Sequence, residues 1–363
     1  MKVGIDGRYA EGKLAGIGKY IKYLAGGLAE LGVESVIFYS RKPETEIRHR
    51  GIDTVILKNS NRYIFEQVLL PRALTKYKVD LYHAAGNAGV PLIGPVPAVL
   101  TIHDIIPLGL PGYFGFSKIP PLSKASYVLR TLTSCVKAKR IITISNFVKK
   151  ELITRLGKTA GKIKVINSGI SLGKGSAKLP AGLAKGKYVL NHGGIDIRKN
   201  LDKLIAAFAI VHRDFGDLKL VITGENPILL PKLKKLAKSL GLEKFIIFSG
   251  YVDETTLGTL IKSSACVCYP TLMEGFGAPV LEGFAAGVPV ISSKTSSIPE
   301  IAGEAALLIN PRKEEEIAEA IRKVMTDAGL ISRLVERGLL EAKKYNWEKT
   351  AKETLEVYKE VLA

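Results

Sequence analysis

Two carboxylates lie eight residues apart around a glycine-rich turn, in the segment Glu274-Gly275-Phe276-Gly277-Ala278-Pro279-Val280-Leu281-Glu282. The apolar, β-prone run Ala265–Tyr269 before this segment predicts a buried strand, and Pro279 favours a helix start after it. In an open α/β sheet, this order places Glu274 in the ligand crevice at the carboxyl end of a strand. Glu282 lies early in that helix and can face the same crevice. The free N–H groups at the helix start would suit an anionic or hydroxylated ligand.

A pair of cations follows another predicted strand, in the segment Asn191-His192-Gly193-Gly194-Ile195-Asp196-Ile197-Arg198-Lys199-Asn200. The glycines, Gly194 among them, let the backbone approach a ligand closely. Arg198 and Lys199 bring two positive charges to the start of the next helix, a combination that suits a diphosphate. An Arg-Lys pair at a helix start is more often a solvated surface feature. The functional interpretation therefore depends on its position, directly after the first predicted strand of the second half.

Two weaker signals lie in the first half of the chain. Thr101-Ile102-His103-Asp104 ends an apolar strand, where His103 could hydrogen-bond a sugar hydroxyl and Asp104 could orient it or bind an acceptor. Gly16-Ile17-Gly18-Lys19-Tyr20 precedes a helix predicted over Ile21–Leu31, and its glycines would let a backbone come near phosphate or sugar. Without other motifs, both patterns are more often structural.

Alternation of β-prone runs with helical stretches predicts the elements that position these residues. Thirteen strands are expected in parallel α/β sheets, near Val3–Asp6, Ser35–Tyr39, Thr54–Leu57, Leu81–His83, Ala98–Ile102, Arg140–Ile144, Ile163–Ile166, Tyr188–His192, Leu218–Thr223, Phe245–Phe248, Ala265–Tyr269, Pro289–Ser292 and Ala306–Ile309. The interpretation is an N-terminal Rossmann-like domain over residues 1–170, a linker over 171–187 and a C-terminal Rossmann-like domain over 188–346. An amphipathic helix is expected over 347–363.

The motifs together resemble the E-x7-E loop and its R-K-N companion in retaining GT-B glycosyltransferases of family 4. The G-I-G-x-Y form of the first loop is similar to that of mannosyltransferase-like members. The resemblance implies the GT-B fold, an α/β architecture in which two Rossmann-like domains with parallel sheets face each other across a cleft. It makes the first domain the acceptor domain, with the last helix packed on it, and the second the nucleotide-sugar donor domain. Catalytic roles are implied for Glu274, His103, Arg198 and Lys199, and substrate-binding roles for Glu282, Gly275, Phe276, Gly277, Gly16, Gly18, Gly194 and Asp104.

In that family, the first Glu lies near the donor sugar and the second holds the ribose hydroxyls of the nucleotide. The expected activity is transfer of a hexose, with mannose from GDP-mannose as the first guess and UDP- or ADP-sugars as alternatives, to a saccharide or lipid-linked acceptor in cell-surface glycan synthesis. The sequence has no D-x-D pair and no cluster with metal-ligand spacing, so neither a metal nor another cofactor is expected. A GT-B nucleotide-sugar 2-epimerase and a basic nucleic-acid-binding protein are the alternatives; the second leaves the two-Glu loop unexplained.

The net charge of +19 is unevenly distributed over the 363 residues. Residues 1–180 carry 28 Lys/Arg against 11 Asp/Glu, a net +17, whereas residues 181–363 carry 25 against 23, a net +2. This asymmetry, with the mixed apolar and basic segment Phe114–Arg140, predicts peripheral docking of the first half on an anionic membrane. No nucleic-acid partner is expected. Three cysteines, no secretory signal and no long apolar run indicate a cytoplasmic location, with peripheral binding to the inner face of the cytoplasmic membrane.

Overall fold

The computed structural model describes residues 1–59, 61–110, 113, 121–157 and 160–363. The chain forms two compact units: Met1–Gly169 with Tyr345–Ala363, and Ile170–Lys344. Each unit is built around its own parallel sheet, and within the described part of the chain no helix is long and apolar enough to cross a bilayer.

The strands of both units pair in parallel throughout, as continuous apolar strands separated by helices require. They are β1 Lys2–Asp6, β2 Glu34–Tyr39, β3 Ile52–Ile56, β4 Leu81–Ala84, β5 Ala98–Ile102, β6 Arg140–Thr143, β7 Ile163–Val165, β8 Tyr188–Asn191, β9 Lys219–Thr223, β10 Ile246–Gly250, β11 Cys266–Tyr269, β12 Val290–Ser293 and β13 Ala306–Ile309. The first sheet has the order β3-β2-β1-β4-β5-β6-β7 and the second β10-β9-β8-β11-β12-β13. Every predicted strand overlaps an observed one, so the predicted strand pattern is confirmed.

Helices connect the strands and cover the sheets. They are α1 Ile17–Glu30, α2 Leu70–Lys76, α3 Ile106–Gly109, α4 Pro121–Lys137, α5 Asn146–Leu156, α6 Leu201–His212, α7 Leu229–Ser239, α8 Glu254–Ser263, α9 Ala278–Ala285, α10 Ile298–Ala302, α11 Glu314–Thr326, α12 Ala328–Ala342 and α13 Trp347–Leu362. A helical turn Arg62–Ile64 and a π-turn Phe65–Leu69 lead into α2, and short 3-10 turns cover Arg8–Ala10, Ala160–Lys162 and Ile197–Lys199.

The last helix, α13, completes the core of the first unit. Ala351 and Tyr358 are fully buried there with β-sheet side chains, and a Cβ at Gly27 of α1 would come within 2.8 Å of the Ala351 Cβ. The Tyr358 hydroxyl lies 2.6 Å from Nδ1 of His83 on β4, and burial lowers the pKa of His83 to about 3. His83 is therefore a neutral residue of the core.

Two predicted helix starts are wrong. Helix α1 begins at Ile17, four residues before the predicted start, because Gly16 takes a positive φ of 43° and forms the cap itself. Pro279 is the second residue of α9 rather than the first, since the helix begins at Ala278. Residues 171–187, interpreted as a linker, lie within the second unit. The Ala177 N–H donates to the Thr259 hydroxyl of α8 at 3.1 Å.

Candidate active site

The central strands β8 and β11 of the second sheet are neighbours, although two strands and three helices lie between them in sequence. Strand order reverses at this pair, so the loops after the two strands diverge to opposite faces of the sheet and leave a crevice at their carboxyl ends. The loop after β8 carries Arg198 and Lys199, and the loop after β11 carries Glu274. The topology thus brings together both charged motifs that the sequence singled out.

Hydrogen bonds accepted by backbone carbonyls join the two loops. The Arg198 carbonyl accepts from the Leu272 N–H at 2.7 Å and from the Thr271 hydroxyl at 2.9 Å. Asn200 lies in the left-handed region with a φ of 58°, and its buried side-chain amide donates to the Pro270 carbonyl at 3.1 Å. The cations and the carboxylate are therefore held by backbone geometry, which limits the reorganisation that a bound ligand would demand.

Glu274 is the centre of the cluster. Its Oε1 lies 2.5 Å from Nη1 of Arg198 and 2.7 Å from Nζ of Lys199, and the Tyr269 hydroxyl donates to the same oxygen at 2.5 Å. Lys199 also contacts the Tyr269 hydroxyl and stacks its ammonium 4.6 Å from the centre of that ring. Glu274 and Lys199 are both buried, with 7% and 3% of their surface exposed, so these are charge-assisted contacts in a largely dry site.

The cluster changes the ionisation of both partners. Burial alone would raise the pKa of Glu274, but the charges of Arg198 and Lys199 outweigh it and bring that pKa to about 2. Burial and then repulsion by Arg198 lower the pKa of Lys199 to about 8, against the attraction of Glu274. Glu274 is consequently ionised at neutral pH. Lys199 is a cation at neutral pH, but its pKa of about 8 lies close to that pH.

Serine side chains after β12 fix the Glu274 loop. The Ser296 hydroxyl lies 3.0 Å from the Glu274 N–H, and the Ser297 hydroxyl donates to the carbonyls of Glu274 and Phe276 at 3.0 and 2.8 Å. These bonds make Ser297 a structural support of the loop. Phe276 itself is 6% exposed, so its side chain belongs to the packed base of the loop.

The second carboxylate faces another partner. Glu282, in α9, accepts a hydrogen bond from Nε2 of His192 at 2.8 Å. His192 follows β8 directly and is 1% exposed, whereas the Glu282 side chain is 12% exposed. The sequence interpretation selected Glu282 but not His192, since nothing in the local pattern shows that a residue 90 positions away would be its partner.

Glycines give the crevice its room. A Cβ at Gly193 would lie 3.0 Å from the Pro279 ring and 3.5 Å from Nζ of Lys199. A side chain at this position would therefore crowd the charged cluster. At Gly194, with a φ of 91°, a Cβ would meet nothing within 4 Å, which leaves the backbone open to a ligand. Gly277 takes a φ of 112° at the start of α9, and Gly275 precedes it in the same buried turn.

The first unit holds the remaining predicted residues. His103 follows β5, and because a carbonyl can only accept, its Nε2 donates to the Ala85 carbonyl at 2.8 Å. Burial lowers the pKa of His103 to about 4 although this bond favours the charged form. The imidazole is thus neutral, with a lone pair on Nδ1 that can accept from a hydroxyl. The Asp104 carboxylate accepts from the Ile106 N–H at 3.3 Å, at the start of α3.

The glycine loop of the first unit separates into two environments. Gly16 caps α1, and a Cβ there would meet nothing within 4 Å. Gly18 lies inside α1, where a Cβ would come within 2.7 Å of the Tyr9 carbonyl. Gly16 is therefore open to an approaching group, whereas Gly18 permits close packing of the helix on the Arg8–Ala10 turn.

A buried charge network at the carboxyl end of β1 was not predicted. Arg8 Nη2 lies 2.7 Å from Asp6 and 2.8 Å from Glu66, and Arg130 of α4 also pairs with Glu66. Asp6 and Glu66 are 0% and 2% exposed. The signal that could have found it is a charged residue, Asp6, at the end of an apolar strand. Across the described ranges, no group of His, Cys, Asp and Glu residues could hold a metal ion.

Comparisons with known proteins match both units. The family model described as Glycosyltransferase Family 4 matches residues 14–174, and that described as Glycosyl transferases group 1 matches residues 180–340. The O-antigen chain mannosyltransferase B of Escherichia coli is 30% identical over 297 residues, which cover 79% of this chain and 76% of that protein. The serotype-specific mannosyltransferase WbdA of Escherichia coli is 25% identical over 289 residues, 74% of this chain but 34% of its own length.

Solved structures share the fold along the whole chain. Sucrose-phosphate synthase of Thermosynechococcus elongatus gives a TM-score of 0.79 at 18% identity and covers 99% of this chain and 98% of that one. HepE of Anabaena in complex with UDP-glucose gives a TM-score of 0.79 at 17% identity and covers 99% and 100%. The α/β GT-B fold expected from the sequence is thereby confirmed.

Proposed function

This chain belongs to the glycosyltransferases of family 4, and from that premise we propose that it moves a hexose from a nucleoside diphosphate sugar to a saccharide or lipid-linked acceptor, with retention of anomeric configuration. The observation that carries the proposal is the Arg198–Lys199–Glu274 cluster at the strand-order switch of the second unit. It combines two cations, an open glycine backbone and a helix N-terminus, which are the groups that a diphosphate requires.

A bound diphosphate competes with Glu274 for the same two cations. Arg198 and Lys199 now share a single oxygen of Glu274; when phosphate oxygens take over part of that pairing, the carboxylate is released to accept hydrogen bonds from hydroxyls of the sugar. The same exchange stabilises the negative charge that develops on the diphosphate as the bond from the sugar carbon C1 to the phosphate oxygen breaks.

The ionisation of Glu274 favours a role other than nucleophile or general base. In the free protein, two cations contact one oxygen of Glu274 and bring its pKa to about 2. A carboxylate with so low a pKa is a weak base and a weak nucleophile. The acceptor hydroxyl then attacks C1 from the face that the diphosphate leaves, a new C1–oxygen bond replaces the old one, and the proton of that hydroxyl passes to the departing phosphate oxygen. In the first unit, the neutral His103 is the residue that we propose for sugar binding, because its Nδ1 can accept from a hydroxyl.

The donor we propose is GDP-mannose, in the synthesis of a cell-surface glycan at the cytoplasmic side of a membrane. Support comes from two similar proteins named as mannosyltransferases, one of them for the O-antigen chain. A structural neighbour was solved with UDP-glucose, so UDP-sugars are the first donors to compare. A thermal-shift series with GDP-, UDP- and ADP-sugars ranks them, since a ligand at 100 times its Kd adds about 2.7 kcal/mol of stability.

The purified protein is expected to transfer mannose from GDP-mannose to short mannose oligosaccharides at a rate that excess EDTA leaves nearly unchanged. The reason is that Arg198, Lys199 and the α9 N-terminus supply the charge that a metal supplies elsewhere. NMR of the product is expected to show the α configuration of the donor. A rate that EDTA abolishes and Mn²⁺ restores contradicts metal independence, an inverted product contradicts retention, and isomerised donor sugar without acceptor favours the epimerase.

We also propose that the first unit docks on an anionic membrane. Helix α4 exposes Leu129 and Val136, 62% and 65% of each, and Ile93 on the loop before β5 is 87% exposed. Lys137 and Lys139 line one surface cavity with Leu92 of that loop, so apolar and basic groups are contiguous there. Arg130, which the sequence interpretation counted among the basic residues of this segment, pairs internally with Glu66. Phe116, Lys118 and Ile119 of the same segment lie outside the described residues.

Vesicle co-sedimentation is expected to require acidic lipid and to weaken as salt is added, because each Lys near such a surface contributes about 1 kcal/mol, screened over about 8 Å. Changing the exposed Lys124, Lys137 and Lys139 to Glu is expected to abolish binding. The matched control makes the same charge change at the exposed lysines Lys234, Lys235 and Lys238 of α7. Equal loss in both variants, or equal partition onto neutral and acidic vesicles, contradicts a specific docking face.

A further inference from the structure

His192 has no role in the activity proposed above, yet it is the partner of the second carboxylate. It lies at the carboxyl end of β8, is 1% exposed, and points Nε2 at Oε2 of Glu282 from 2.8 Å. Glu282 reaches this point from α9, the helix that follows the Glu274 loop. This bond therefore joins the residue after β8 to α9, separately from the contacts that Arg198 and Lys199 make with Glu274.

The surroundings of the ring determine which nitrogen carries the proton. Nδ1 of His192 is buried and has no hydrogen-bond partner among the described residues. A proton on Nδ1 would be a buried donor without an acceptor, which is costly. The carboxylate at Nε2, by contrast, can only accept. The tautomer is therefore the one with its proton on Nε2, and the ring acts on Glu282 as a donor of fixed direction.

Fixing Glu282 in this way leaves a defined set of acceptor positions. An ionised carboxylate offers about four lone-pair positions, and His192 occupies one on Oε2. The Glu282 side chain is 12% exposed, so part of the carboxylate edge faces out of the protein. Two neighbouring oxygens held in one plane match two hydroxyls on adjacent carbons, because each hydroxyl can donate to one oxygen.

We infer that His192 is a positioning residue: it fixes the Glu282 carboxylate, whose counterpart in the family holds the ribose hydroxyls of the nucleotide, and thereby sets how strongly the enzyme prefers ribonucleotides over their 2′-deoxy forms. The inference rests on the proposed function, because it assigns the nucleotide end of the same donor. A donor without the 2′-hydroxyl leaves one oxygen of a partly buried carboxylate without its partner, which costs about tenfold or more in affinity.

A purely structural role for the His192–Glu282 bond makes a different prediction. In that case its loss lowers thermal stability and weakens every nucleotide alike. A positioning role instead changes the ratio between ribo and deoxy ligands, because only the ribo form uses both hydroxyls. The ratio is therefore the informative quantity, and it is insensitive to a uniform loss of folded protein.

The experiment compares wild type, His192→Leu, His192→Gln, Glu282→Gln and the double variant His192→Leu/Glu282→Gln by calorimetric titration with GDP and 2′-deoxy-GDP, and with the corresponding UDP and ADP pairs. Wild type is expected to prefer the ribo form at least tenfold, and His192→Leu to reduce that preference several-fold. His192→Gln, whose amide nitrogen can take the place of Nε2, is expected to restore most of it. The double variant is expected to match Glu282→Gln alone, because His192 acts only through Glu282.

The outcomes separate the inference from the function beneath it. If wild type binds none of the nucleoside diphosphates, the proposed function fails. If wild type binds them with a ribo preference that His192→Leu leaves intact, or if the double variant loses more preference than Glu282→Gln, the positioning role is wrong and the proposed function stands. Should His192→Leu fail to fold, His192→Asn takes its place, because its shorter amide cannot reach Glu282 as Nε2 does: a ribo preference equal to that of wild type in this variant overturns the inference.

Discussion

Replacing Glu274 by Gln is expected to lower kcat by about 10²- to 10³-fold, the usual effect of removing one preorganised electrostatic contact from a transition state. Gln keeps the shape of the side chain but removes the charge that orients Arg198, Lys199 and the sugar hydroxyls. Glu282→Gln is expected to raise the donor KM instead, because a ribose contact is similar in the ground and transition states. Steady-state kinetics at limiting donor separates these two patterns.

The same Glu274 variant is expected to bind free nucleoside diphosphate more tightly than wild type. Arg198 and Lys199 lose their shared counter-charge, so a diphosphate no longer has to displace a carboxylate from them. Calorimetric titration measures this, and Glu314→Gln, which removes a half-buried partner of Lys203 far from Glu274 in the sequence, is the control. Wild-type kinetics in both the Glu274 and Glu282 variants would show that the site is assigned to the wrong residues.

Replacing Lys199 by Met is expected to lower kcat/KM by about 10²-fold or more, since the diphosphate loses a desolvated cation. Met retains much of the apolar stem that packs against Tyr269. Lys203→Met, at an exposed lysine one turn further along, is the matched control and should remain near wild type. An equal loss in the two variants would contradict a specific role for Lys199.

The pH profile of the wild-type enzyme tests the same residue without mutation. The pKa of Lys199 in the free protein is about 8, so its ammonium is present below that pH and is lost as the pH rises through it. We therefore expect kcat/KM to fall on the alkaline side of about pH 8. A bound diphosphate favours the ammonium and raises that pKa, so the fall in kcat should appear at higher pH. Coincident falls would assign the titration to another group.

The sequence predicted the sheets well because their strands are apolar on both faces and regularly separated by helices. It also predicted the Glu274 loop, since a buried strand, a glycine turn and a proline at the helix start are local signals. Its error at α1 arose from reading Gly16 and Gly18 as a loop, whereas one caps the helix and the other lies within it. Local rules assign glycine to breaks, and only packing shows when a neighbouring backbone requires it inside a helix.

Partners distant in sequence could not be predicted. His192 meets Glu282, Arg130 meets Glu66, and His83 meets Tyr358 only because the strand order brings their elements together. The sequence counted Arg130 among the basic residues of a membrane-docking segment. The structure instead pairs it with Glu66, a buried carboxylate on another helical segment. Charge pairing across a fold has no period along the chain, so it is visible only after the fold is known.

The chain passes out of the first unit at Gly169 and returns to it at Tyr345, and this has a consequence for biosynthesis. Domains tend to fold as they leave the ribosome, N-terminal part first. Here the second unit is one continuous stretch and can complete its fold early, whereas the first unit must wait for the final residues of α13. Until Ala351 and Tyr358 arrive, an apolar surface next to α1 stays uncovered and His83 lacks its hydroxyl partner. Most of the first unit is thus synthesised before the second unit but reaches its native state after it, and its uncovered apolar surface is open to chaperones and proteases in the interval.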